Sequence, residues 1–187
     1  GMTAFTRIII VLSILRQALG TQQTPPNQVL IALALFLTFY IMSPVLDRAW
    51  TEAGRPYVDG EIEIQEGIEK GGEIFKRFML ANTRQEDLIA FTDLAELPQF
   101  ENPSEVPFRV LLPAFITSEL KIAFQIGFLI FLPFLVIDLL ISSILMSLGM
   151  MMLSPMLVAL PFKLLLFVLV DGWSMTVGSL AASYLVE

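Results

Sequence analysis

Residues 122–186 read IAFQIGFLIFLPFLVIDLLISSILMSLGMMMLSPMLVALPFKLLLFVLVDGWSMTVGSLAASYLV, 65 residues with only three charges, Asp138, Lys163 and Asp171. Gly149 and Ser154-Pro155 interrupt the stretch near its middle. It is therefore expected to fold as two long helices joined by a tight loop, a helical hairpin with Met150, Met151 and Met152 at its tip. The rest of the chain agrees with a membrane setting. Of 187 residues, 56% are hydrophobic, well above what a soluble domain of this size carries.

Upstream, Val29 to Leu46 gives 18 uncharged residues bounded by Asp47-Arg48, about 27 Å of helix against a bilayer core of roughly 30 Å. Pro44 is placed to kink it. Ile8 to Leu19 is apolar on balance, but its 12 residues make only about 18 Å of helix and include Arg16. Such a segment either lies in the interface or continues a helix that begins before residue 1. The second is expected here. Between the two, Thr21 to Asn27 reads TQQTPPN, where Pro25-Pro26 forbids helix and Asn27 can cap the next one.

Charge is confined. Residues 47–109 hold 14 of the 18 acids and 7 of the 11 bases, which accounts for the whole net charge of -7. Ile64, Ile68, Phe75 and Phe78 form one stripe at helical spacing there, and Leu88, Phe91 and Ala95 form another, opened by Glu86 and Asp87. Gly71-Gly72 weakens the first helix. Leu97 to Pro107, with three prolines, reads as a loop. The balance of lysine and arginine around the apolar segments is a weak guide to orientation. If the acidic segment lies outside, the Thr21–Asn27 turn and the methionine loop both face inward.

With no cysteine and no histidine, thiolate nucleophiles, Cys/His metal sites and imidazole-based catalysis are excluded. No phosphate loop or paired-carboxylate cleft is present. No catalytic, cofactor or metal site is expected, and without a basic stripe no nucleic-acid partner.

A charge at membrane depth costs at least about 2.5–3.5 kcal/mol on insertion scales, so Asp138 and Lys163 need a reason. Asp138 lies 11 residues before Gly149 and Lys163 lies 8 after Pro155, about 16 and 12 Å from the turn, hence at similar depth. Three readings stay open: a pair within one hairpin, a pair across a seam between neighbouring subunits, or a lysine that snorkels. Glu119 and Lys121, at the mouth of the hairpin, read as an ion-pair or interface cluster. Small residues at Ser174, Gly178 and Ala182 suit close helix packing. Met146 and Met156 flank the methionine loop. Five deformable thioethers in 11 residues suit a closure that yields when something passes, or equally a turn packed in lipid or core.

Three strings carry a resemblance: TRIIIVLSILRQALGTQQTPPNQVLIALALFLTFYIMSPV at 6–45, ITSELKIAFQIGFLIFLPFLVIDLLISSILMSLGMMM at 116–152, and ALPFKLLLFVLVDGW at 159–173. They resemble the FliP/SctR family of type III secretion export-gate subunits, over essentially the whole chain. The resemblance implies an all-α membrane-type fold. Residues 1–46 would be an N-terminal apolar hairpin with a truncated first helix, 47–109 an acidic helical periplasmic domain, and 110–187 the C-terminal apolar hairpin. It further implies a non-enzymatic subunit that assembles in several copies, with FliQ and FliR, into a helical-symmetry channel wrapped by FlhB. FliO would assist assembly, and the complex would pass unfolded flagellar proteins across the bacterial inner membrane, largely above the plane of the lipid. On the same resemblance Met150, Met151 and Met152 correspond to the pore gasket, Glu119, Asp138 and Lys163 to intersubunit polar contacts, and Phe78 and Phe91 to subunit contacts in the periplasmic domain. Ordinary core packing is the competing reading for the two phenylalanines. A virulence-type homologue of the same gate, or a small-solute transporter using Asp138 and Lys163, are the alternatives.

Overall fold

The computed structural model describes residues 1–21, 23–150 and 152–186, and among these every regular element is helical. Helix α1 (Phe5–Leu19) is followed by α2 (Asn27–Ala49), which runs through a π-helical turn at Trp50–Gly54 into the short α3 (Arg55–Val58). The acidic segment supplies α4 (Ile64–Asn82) and α5 (Gln85–Leu94), then a loop with one 3-10 turn at Pro103–Glu105. The apolar half is α6 (Phe108–Ser147), α7 (Pro155–Leu169) and α8 (Gly172–Ala182).

Helix α1 is central. Its Ile8, Val11, Leu12 and Leu15 are fully buried, at the spacing of one wide helical face. The first three join the main core with Leu30, Ala34 and Ile41 of α2, Ile74 and Phe78 of α4, Leu111 and Phe115 of α6, and Leu180 of α8. Leu15, Ala18 and Leu19 form a second cluster with Phe134 and Phe167. Burying each such side chain contributes about 1.5–3 kcal/mol, which holds this 15-residue helix in place. Gly127 of α6 permits the approach, since a Cβ there would lie 2.5 Å from Cδ1 of Ile14.

Several sequence expectations change. Asp47-Arg48 does not end α2, because a solvated charge at a helix edge breaks no backbone bond, and the helix passes Pro44 to continue to Val58. Pro26, not Asn27, occupies the N-cap, and Asn27 Oδ1 instead accepts from Arg16 Nη1 at 2.6 Å. The α4 stripe is half right: Phe78 is buried and Phe75 partly so, but Ile64 and Ile68 are exposed because only the second half of α4 meets the core. The helix runs unbroken through Gly71-Gly72. In α5, Leu88 and Phe91 pack on the core while Ala95 lies outside.

The second arm of the hairpin is not one long helix. It is bent by 61° between α7 and α8. Asp171 adopts a left-handed backbone with φ 51°, and the Phe167 ring lies so close over Gly172 that a Cβ would come within 2.2 Å of it. Only glycine fits that position. Trp173 stands edge-on to Phe167 at 5.1 Å and completes the knuckle.

Two helices, Asn27–Val58 and Phe108–Ser147, are long and apolar enough to cross a membrane, and the bent α7–α8 pair is a third candidate. In α6 only 11% of the most apolar window is buried within the chain, against 39% in the first span. That surface needs a cover of lipid or protein.

Candidate functional site

The hairpin tip is set by a helix stop written in the backbone. Gly149, at φ 69°, donates its N–H to Met146 O at 3.1 Å, and Met150 N–H reaches Leu145 O at 2.9 Å. This is the paired closure of a Schellman motif, which the left-handed glycine makes possible. Pro155 then opens α7. Met152 at the tip is 100% exposed, and Met146, Met150 and Met156 are exposed around it. Met151 lies outside the described residues. A cleft of about 620 Å³ separates Ser154, Met156 and Leu157 from Thr21, Gln23 and Thr24 of the α1–α2 turn. The two loops therefore share one end of the molecule, as the sequence suggested.

Deeper in the hairpin, Lys163 Nζ lies 2.8 Å from Asp138 Oδ1. The depth arithmetic thus brought together residues on opposite arms of the hairpin. The contact is Coulombic in character, because Oδ1 is buried without a hydrogen bond of good direction. Lys163 is buried while the Asp138 side chain is 29% exposed, so the carboxylate keeps an open side. The ammonium also stands beside the C-terminal end of α1, where a Cβ on Gly20 would lie 3.6 Å from Nζ. A positive charge is favoured at that end of a helix.

Glu119 and Lys121 do not pair with each other. Glu119 is fully enclosed and forms an ion pair with Arg7 of α1, which is also buried. Tyr184 donates its hydroxyl to the other carboxylate oxygen, and the Arg7 guanidinium lies 3.7 Å from the Tyr184 ring centre. Arg7 Nη1 is used on Ser183, while Nε is buried without a partner. Burial and the facing Glu119 carboxylate push the Tyr184 phenol well above its ordinary range, so it stays a donor.

Lys121 pairs with Asp87 of α5. The other Asp87 oxygen accepts from Ser118 Oγ at 2.7 Å, and Ser118 Oγ accepts from Arg84 N–H at 2.9 Å. Burial raises the Asp87 carboxyl, but hydrogen bonds from Lys121 and Ser118 and the charges of Lys121 and Arg84 more than reverse this, leaving it below its ordinary 3.8. This joint fastens the start of α5 to α6.

Phe78 is 3% exposed, edge-on to Phe115 at 6.0 Å and stacked on Tyr184 at 5.9 Å. Its ring is occupied by its own chain. Phe91 is half-buried against the same core and keeps an outer face. Sequence reasoning missed Arg7, Tyr184, Asp87 and Ser118 as partners. The one available signal was Arg7 itself, a cation next to the run Ile8-Ile9-Ile10, which a buried acid elsewhere had to answer.

Residues 1–180 match the FliP family. The flagellar biosynthetic protein FliP of Cereibacter sphaeroides is 73% identical over 184 residues, which cover 98% of this chain and 61% of that protein. The FliP of Pectobacterium carotovorum is 61% identical, covering 98% of this chain and 71% of its own length. That of Bacillus subtilis is 54% identical, with 98% and 83% covered. The chain thus spans about three fifths of the first of these relatives, and with 180 of its 187 residues matched it belongs to the FliP family.

Proposed function

We propose that the chain is a non-enzymatic, channel-forming core subunit of the flagellar type III protein export gate in the bacterial inner membrane. Several copies assemble with FliQ, FliR and FlhB, with FliO acting during assembly, and unfolded flagellar proteins pass through the opening they enclose. The acidic segment 47–109 lies on the periplasmic side. Residues 110–187 form the hairpin that lines the passage.

The observation that carries this reading is the wholly exposed Met152 among Met146, Met150 and Met156, at the end of a hairpin whose outer faces are apolar and uncovered. Unbranched thioethers pack against each other without a fixed shape. A ring of them closes an opening to water and ions yet deforms around a passing chain. Asp138, paired with Lys163 but open on one side, offers a neighbouring subunit a charge at the seam. Phe91 offers an aromatic face in the acidic segment, and Phe78 contributes through the core on which Phe91 packs. Glu119 contributes by fixing α1 against α6, so that the seam has one shape.

The test is Met150→Ala, Met151→Ala and Met152→Ala together in assembled complex. Assembly is expected to persist while the closed complex leaks ions and small solutes. Unchanged permeability in an assembled mutant removes the gasket assignment. A transporter would draw on the same bent α7–α8 arm beside an intramembrane ion pair. Selective, saturable flux of one small solute would favour that reading over an unselective leak.

A further inference from the structure

Residues 183–186 follow α8 without regular structure, and side chains from three other helices read their main chain. Arg7 Nη1 donates to the Ser183 carbonyl and to Ser183 Oγ, both at 2.9 Å. Asn82, the last residue of α4, reads Leu185 in both directions: its Nδ2 donates to the carbonyl at 2.7 Å, and its Oδ1 accepts the N–H at 2.9 Å. Arg48 of α2 donates to the Val186 carbonyl. Leu185 itself points outward, 66% exposed. The one side chain held deeply is Tyr184, between Glu119, Arg7 and the Phe78 ring.

Main-chain hydrogen bonds along a segment, with a pocket for one anchoring side chain, are how proteins bind extended peptides. Packing of a helix end needs none of this. A carboxamide matched to both polar groups of one residue recognises backbone whatever the side chain. We propose that Arg7, Arg48, Asn82 and Glu119 form a peptide-binding cradle with one aromatic pocket, filled in cis by this chain's own residues 183–186. Its filling locks the acidic segment to the apolar hairpin and makes the subunit competent to assemble.

The cis occupant follows from connectivity. Leu180 of α8 is fully buried in the core that also contains Phe78 and Phe115, so Ser183 emerges three residues later beside Arg7. An attached segment acts at an effective concentration on the order of millimolar, which a neighbour's copy does not match. The coupling follows from the partners: the four residues of the strap hydrogen-bond to side chains of α1, α2, α4 and α6. The assembly clause rests on the channel reading. The cradle does not.

The experiment is amide hydrogen exchange of the full chain in detergent, with oligomer recovery measured in parallel. The Leu185 amide is expected to exchange at least tenfold more slowly than the same residue in an unstructured peptide. Asn82→Ala should abolish that protection, leave α6 protected and lower oligomer recovery severalfold. A wild-type segment exchanging at the free rate overturns the cradle. As a second measurement, independent of whether Asn82→Ala folds, a photoreactive diazirine analogue of phenylalanine replaces Tyr184, whose ring stacks on Phe78 of α4, in mixed isotopically light and heavy chains. Cross-links to α4 within one chain are expected, and light–heavy cross-links alone overturn the cis assignment. If Asn82→Ala frees the segment while oligomer recovery is undiminished, the assembly clause fails and the Met-loop leak assay still stands on its own.

Discussion

Replacing Arg7 with Met tests whether the buried ion pair organises the fold. Arg7 and Glu119 are 1% and 0% exposed at their side chains, and Tyr184 is the carboxylate's other hydrogen-bond partner. Arg7→Met keeps the aliphatic volume but leaves the Glu119 carboxylate enclosed with one neutral donor. Removing one partner of such a pair costs about 3–5 kcal/mol. For a chain of this size each kcal/mol moves the melting temperature by about 2–4 °C, so the expected loss is on the order of 6–20 °C. Adding Glu119→Leu removes the stranded charge and is expected to restore most of it, because apolar replacement of both partners is often neutral or better. The assay is thermal unfolding of the purified chain in detergent, followed by the fluorescence of Trp50 and Trp173, for both single variants and the double. A single-variant cost under about 1 kcal/mol, the worth of a surface pair, would refute the reasoning. So would penalties that simply add.

Two further outcomes are expected. Asp138→Ala and Lys163→Ala should each lower recovery of assembled oligomer, with the charge-exchanged pair Asp138→Lys and Lys163→Asp partly restoring it; equal recovery in all three would confine the pair to a role within one hairpin. Because the folded Asp87 carboxyl lies below its ordinary 3.8, its contribution to docking α5 on α6 is intact above that value and lost as pH falls through the lower, folded one. Protection of the α5 amides, taken relative to their intrinsic exchange rate at each pH, should therefore fall on acidification below about pH 4, and Asp87→Asn should show lower protection already at neutral pH with the acid step removed.

What was readable in the sequence is what depends on local pattern. The hairpin followed from 65 residues with three charges, and the similar depth of Asp138 and Lys163 from counting residues to the turn, whereas their pairing within one hairpin was one of three open readings. The α7–α8 bend was not readable, because it comes from the Phe167 ring closing over Gly172 and the left-handed backbone at Asp171. The exposure of Ile64 and Ile68 escaped for a related reason: periodicity identifies a face, not which half of it the rest of the fold covers. Arg7 and Glu119 are 112 residues apart, and Glu119 and Tyr184 are 65 apart. No spacing rule connects them; each is an ordinary residue in its own segment until the core closes around α1. The resemblance to the export-gate family led to the family and to the proposed function, whereas composition alone led only to a helical membrane protein.

The channel reading requires that the hairpin tips of neighbouring copies meet. Because the chain contains no cysteine, a Met152→Cys variant carries a single thiol at the most exposed point of the tip. Expressed with its partner subunits in membranes and treated with a short bismaleimide, it is expected to give a cross-linked pair of this chain. The same reagent should give no pair from a Leu165→Cys control, exposed like the tip but about 15 Å along α7 from Pro155. A Met152→Cys chain that stays monomeric, with its thiol freely labelled by a lipid-soluble maleimide, would contradict the account.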